Sequence, residues 1–121
     1  MTEQTPESVL AGVPADERHF LIFIASHEER GRPWCRDCEA AEPIIAKSVK
    51  PQESTVVWVG SREEWNKDDN VWRQAPFNVY RVPTILKVEP GTGTVSERVS
   101  IARKVVEAEI LEGKVLRAFL A

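Results

Sequence analysis

The feature that most constrains the fold is the run Phe20-Leu21-Ile22-Phe23-Ile24-Ala25, opened by His19, in which no polar side chain interrupts the apolar ones. A strand with one wet face alternates apolar and polar residues, so a run without alternation belongs to a strand covered on both sides. It is far short of the roughly 20 residues a bilayer span requires. His19 to Ala25 therefore predicts a central parallel strand with layers packed above and below. A chain of 121 residues that is 42% hydrophobic is the size of one compact domain with a real core. Thr55-Val56-Val57-Trp58-Val59 predicts a second buried strand, ended by Gly60, with Trp58 in the core. Ile85 to Glu89 predicts a third strand. Pro90-Gly91-Thr92-Gly93 then makes a turn, and Thr94 to Val99 is expected to return antiparallel as a hairpin partner.

Helical spacing begins at Arg36 and runs to Lys50, with Cys38, Ala41, Ile45 and Val49 at steps of three and four on one face. Pro43 interrupts the backbone donors of this helix. Residues 61–75 predict short helical pieces packed by Trp65 and Trp72. Ile101 to Leu120 predicts a closing helix with the stripe Val105, Ala108, Leu111, Val115 and Phe119, which Gly113 frays or divides. Residues 1–18 read as a loosely ordered lead-in, with a helical turn near Ser8 to Ala11, ahead of a domain over residues 19–121. The order of strands and helices predicts an α/β fold, a mixed central sheet with helices on both faces.

Net charge of −3, with Lys and Arg dispersed among acids, disfavours a nucleic-acid partner. The start Met-Thr-Glu-Gln-Thr-Pro-Glu-Ser has neither a basic flank nor an apolar core, and no segment suits a membrane span. The expectation is a cytoplasmic monomer.

Trp34-Cys35-Arg36-Asp37-Cys38 holds the only two cysteines of the chain, spaced C-x-x-C at the start of the helix. Residues i and i+3 lie on neighbouring parts of one helix face, close enough for a reversible disulfide. So short a loop braces little, which argues against a structural staple. Cys35, at the helix N-terminus beside Arg36, is in the better position to act as thiolate nucleophile, with Asp37 opposing. Cys38, one turn deeper on the apolar face, is the resolving thiol. Three other readings compete. An intramolecular zinc site lacks a second cysteine pair and has only His19 and His27 to draw on, so no metal is expected. A zinc ion shared between two chains stays open. Two inert core cysteines would suit a mid-helix position better than a helix start after Trp34.

Five positions then bring out a resemblance. Trp34 precedes the pair, Pro43 follows Cys38 by five residues, Val82-Pro83-Thr84 follows Phe77-Asn78-Val79-Tyr80-Arg81, and the strand Phe20 to Ala25 precedes the motif. Over residues 19–120 the chain resembles the thioredoxin family. Within it, Asp37, the charged loop Ser26 to Pro33, Ala41-Glu42-Pro43, and Gly60 with Trp65, Lys67, Asn70 and Arg73 are similar to the Clot type, the thioredoxin domain-containing protein 17-like group.

The resemblance implies a cytosolic disulfide reductase that acts on small-molecule disulfides such as cystine, on mixed disulfides, persulfides and nitrosothiols, and on selected protein disulfides. Electrons would come from NADPH through thioredoxin reductase, with no bound cofactor beyond the Cys35-Cys38 pair. Trp34 would form part of the docking face, and a cis Pro83 would turn the Val82 backbone toward the cysteines. A trans proline opening an edge strand is the other reading of Pro83. Arg36 stands where the group has proline. The group's first strand has no counterpart in residues 2–18, so about four strands are expected. The family's buried aspartate is also missing from Phe20 to Ala25, leaving Asp37 or water to take the proton of Cys38. In the loop, Glu28, Glu29, Arg30 and Arg32 read as a solvated edge whose nearness to Cys35 leaves target selection open. A thioredoxin-fold binding module switched by its redox state, with little turnover, is the alternative function.

Overall fold

The structure, a computed structural model, describes residues 4–27 and 33–121. At its centre is β1 (His19–Ile24), buried at every residue as the unbroken apolar run requires. β1 pairs parallel with β2 (Ser54–Trp58) and antiparallel with β3 (Thr84–Val88). A last strand, β4 (Arg103–Val106), pairs antiparallel with β3. The four-stranded order is β2-β1-β3-β4, a mixed sheet. A parallel pair needs a crossover, which α2 (Arg36–Ser48) provides between β1 and β2.

Alternate residues of β1 feed two apolar layers. Leu21 and Phe23 join Val9 of α1 (Pro6–Ala11), Val99 of α4 (Val95–Ser100) and Trp65, Trp72 and Phe77. Phe20 and Ile22 join Ala41 and Ile45 of α2, Ile110 of α5 (Ala108–Leu111) and Leu116 and Phe119 of α6 (Gly113–Leu120). Helices thus cover both faces of the sheet. Trp65, which ends α3 (Arg62–Trp65), and Trp72, in a 3-10 turn over Val71–Arg73, are the packing anchors their spacing suggested. Phe23 meets Trp72 and Phe77 edge-on at centroid separations of 6.0 and 5.8 Å.

Three expectations need correction. Thr94 to Val99 is not a strand: Thr94 caps α4, its hydroxyl accepting from Glu97 N–H while Glu97 reaches back to Thr94 N–H. That reciprocal box outweighs the β-branched content of the segment. Nor does a helix run from Ile101 to Leu120. The strand that partners β3 is β4, which holds Val105, and the helical part splits into α5 and α6 around Gly113. The stripe drawn through Val105 therefore lost phase, leaving Ala108 and Val115 exposed while Ile110 and Leu116 are buried. Finally, Trp58 is not core. β2 lies at the sheet edge, where only alternate residues face inward, so Val57 is enclosed while Trp58 keeps 42% of its surface.

The free side of β2 is covered by a side chain. Gln4 Nε2 donates to Val56 O at 2.7 Å, and Trp58 N–H donates to Gln4 Oε1 at 3.0 Å, so one amide imitates a neighbouring strand. Arg98 of α4 ties the N-terminal segment to the end of β3, donating to Glu89 O at 2.8 Å and Pro14 O at 2.9 Å.

His19, at the start of β1, donates or accepts through Nε2 at Thr55 Oγ1, 2.8 Å away, while buried Nδ1 has no partner. Burial lowers its pKa, and the carboxylate of Glu17 opposes this in part. The unfolded chain thus takes up its proton first as pH falls, so the contribution of His19 is intact above the ordinary histidine range and is lost below about pH 6.5. Replacing His19 with Gln should flatten the fall in unfolding free energy between about pH 7 and about pH 5, measured by urea denaturation. An unchanged slope would assign that fall to other groups.

Candidate functional site

The cysteine pair stands at the end of β1. Ala25, just past the strand, donates its N–H to Cys38 Sγ at 3.4 Å. Cys38 belongs to the first turn of α2 and is fully enclosed, whereas Cys35 is the N-cap and half-buried. The Cys35 backbone is extended, and its Sγ accepts the Cys38 N–H at 3.2 Å, the role a serine or aspartate oxygen takes at most helix starts. The unpaired N–H groups of that turn place partial positive charge at Cys35 Sγ. On its other side the Cys35 thiol donates to Val82 O at 3.6 Å. Both cysteines are free thiols.

Burial pushes the Cys38 thiol far above its ordinary range; the hydrogen bond with Cys35 adds to this, the Ala25 N–H opposes it, and the charges of Cys35 and Glu42 raise it further. Glu42 lies one turn beyond Cys38, and His27 Nε2 reaches both of its carboxylate oxygens at 2.9 Å. The sequence had offered Asp37 as the acidic neighbour. Spacing of i and i+4 on α2 was the signal that Glu42 also acts on Cys38. Arg36 is exposed and Asp37 half-buried, both in the first turn of the helix.

The Val82-Pro83 bond is cis, and so is Ala75-Pro76, which nothing in the sequence announced. Trp34 is half-buried, with its indole N–H donating to Gly60 O at 2.9 Å and Arg62 donating to Trp34 O at 3.0 Å. Gly60 takes φ of 105°, and a Cβ there would come within 3.0 Å of Glu64. Only glycine meets both conditions. Trp34 and Cys35 thus converge with Val82 and Pro83 from two segments. Beside Cys35, Trp34 and Val82 open on a groove of about 390 Å³, whose walls include Arg73, Tyr80 and Arg81. In the sequence alone Tyr80 and Arg81 are only a lead-in to Pro83. A larger hollow of about 710 Å³, between Gln4 and Trp72, includes neither cysteine. Among the described residues no three His, Cys, Asp or Glu side chains gather as metal ligands, and no helix is long and apolar enough to cross a membrane. Glu28, Glu29, Arg30 and Arg32 lie outside the described residues.

A mixed four-stranded sheet with helices on both faces, carrying a C-x-x-C pair where the central strand meets its crossover helix, defines a redox-type thioredoxin-like domain. More closely, the chain belongs to the thioredoxin domain-containing protein 17-like family, whose thioredoxin-domain model matches residues 2–112. It is 32% identical over 94 residues to the thioredoxin-like protein Clot of Arabidopsis thaliana, covering 69% of this chain and 70% of that protein. Human thioredoxin domain-containing protein 17 is 31% identical over 101 residues, covering 80% of this chain and 72% of the relative. The mouse protein of that name is 35% identical over 72 residues, or 56% of this chain and 58% of its own.

Two outcomes check this geometry. Iodoacetamide at neutral pH should carbamidomethylate Cys35 and spare Cys38, since a buried thiol held protonated is a poor nucleophile; a doubly modified peptide by mass spectrometry would contradict the burial. Gly60→Ala should lower stability by about 1–2 kcal/mol, read from the denaturant midpoint, whereas an unmoved midpoint would show that the left-handed turn carries no constraint.

Proposed function

We propose that the chain is a cytosolic thiol-disulfide oxidoreductase that reduces small-molecule and selected protein disulfides through a Cys35/Cys38 cycle. The observation that carries the reading is the division of the pair: an accessible Cys35 whose sulfur accepts a helix N–H, above an enclosed Cys38 one turn away. Membership of the thioredoxin-like family supports thiol chemistry in general.

Cys35 thiolate attacks one sulfur of the substrate disulfide, that bond breaks, and the first substrate thiolate leaves. Cys38 then attacks Cys35 Sγ, its proton passing to the departing substrate thiolate. The second substrate thiolate departs, leaving a Cys35-Cys38 disulfide and two electrons on the substrate. Thioredoxin reductase returns two electrons from NADPH. In this cycle Trp34 and the Val82-Pro83 backbone receive the substrate, while Arg36 and Asp37 tune the nucleophile.

Stirred with NADPH, thioredoxin reductase and cystine, the wild-type chain should oxidise NADPH catalytically. Cys35→Ser should abolish the signal, and Cys38→Ser should accumulate a mixed disulfide on Cys35, visible as added mass. A folded, reducible chain that supports no NADPH oxidation would favour a redox-switched binding module instead.

A further inference from the structure

The chain as a whole is acidic, with a net charge of −3, yet arginines collect around Cys35. Arg73 and Arg81 line the groove beside it, Arg62 lies over the Trp34 ring and Arg36 follows Cys35 in the chain. Arg73 donates to Trp65 O at 2.8 Å with its guanidinium 4.2 Å from the centre of that ring, and Arg62 donates to Trp34 O at 3.0 Å. Carbonyl oxygens and ring faces fix these two cations in place without cancelling their charge. Arg81 is more exposed and meets Glu107 Oε1 at 3.2 Å, the one carboxylate among the groove's walls. Asp37 and Glu39, both in the first turn of α2, are the other acids near Cys35 in the chain. Arg81 directly precedes Val82, whose carbonyl the Cys35 thiol contacts, and both line the groove into which Cys35 opens, so substituents on a sulfur seated at Cys35 share that groove with Arg81.

Resting on the reading of Cys35 as nucleophile, we propose that this groove selects disulfides bearing carboxylates beside the sulfur pair over neutral and cationic ones, with Arg81 as the specificity-determining residue. The selection acts on the first exchange. Cys35 thiolate forms a new S–S bond, the substrate S–S bond breaks, and the carboxylate-bearing thiolate leaves as an anion, so the same cations attract the incoming substrate and steady the departing charge. Glu107 moderates the effect by occupying Arg81.

The test is a single turnover of the pre-reduced full chain with dithiodiglycolate, hydroxyethyl disulfide and cystamine, which carry two carboxylates, no charge and two ammonium groups. Each rate is divided by that of mercaptoethanol thiolate under the same conditions, which removes the intrinsic reactivity of the disulfide and the charge of the attacking sulfur. At low salt the normalised anionic-to-cationic ratio should be about tenfold, and it should collapse at about 1 M salt, where the Debye length is roughly 3 Å. Arg81→Gln should narrow the ratio about threefold, and Glu107→Gln should widen it. Opposite shifts from the two members of one ion pair are not what a loss of packing produces. A ratio near one, or a ratio that both substitutions move in the same direction, overturns the proposal. Failure of all three disulfides to react would overturn the oxidoreductase reading itself.

Discussion

Everything at the site depends on β1 being enclosed on all sides. Parallel and antiparallel neighbours satisfy its backbone, and apolar layers cover both faces. A strand so fixed makes its end a rigid reference point. From that end Ala25 N–H reaches Cys38 Sγ, and Ser26 clasps Gly60 twice, its N–H donating to Gly60 O at 3.2 Å and its hydroxyl accepting from Gly60 N–H at 2.9 Å. Gly60 O in turn holds the Trp34 indole. Two residues after β1 thus locate both ends of the Trp34-to-Cys38 motif. A motif held by backbone groups of the central strand is placed as precisely as the sheet itself.

How much of this was legible in the sequence follows from the range of each interaction. The β1 run, the α2 face through Cys38, Ala41 and Ile45, and the helix start beside Cys35 are set by spacing within one element, and each is where the pattern placed it. The C-terminal third misled because a local capping box at Thr94 and Glu97 competed with a β-branched segment, and a four-residue strand at Val105 was absorbed into a helical stripe. Trp58 misled for another reason: an apolar side chain on an edge strand looks the same in sequence as one on a central strand. Its ring instead meets His27 at 5.3 Å, edge to face, and through it the carboxylate of Glu42. Tyr80 and Arg81 became part of the site only through a loop that brings residues 47 positions apart into contact at Cys35 and Val82.

One turn of helix makes two chemically identical thiols unlike. Cys35 is outside the helical ladder, so its sulfur is free to accept the N–H that the ladder leaves over. Cys38 is inside the ladder and inside the core, where desolvation and the nearby carboxylate of Glu42 both disfavour its anion. The two placements share one origin, the position of the helix start at the boundary between groove and core. An anion forming at Cys38 before substrate arrives would meet Glu42 and a low dielectric together; a mixed disulfide on Cys35 removes the competing sulfur charge next to it. Burial thus separates the two thiols: Arg73 and Arg81 line the groove on the Cys35 side, whereas the charges that act on Cys38 are those of Cys35 and Glu42.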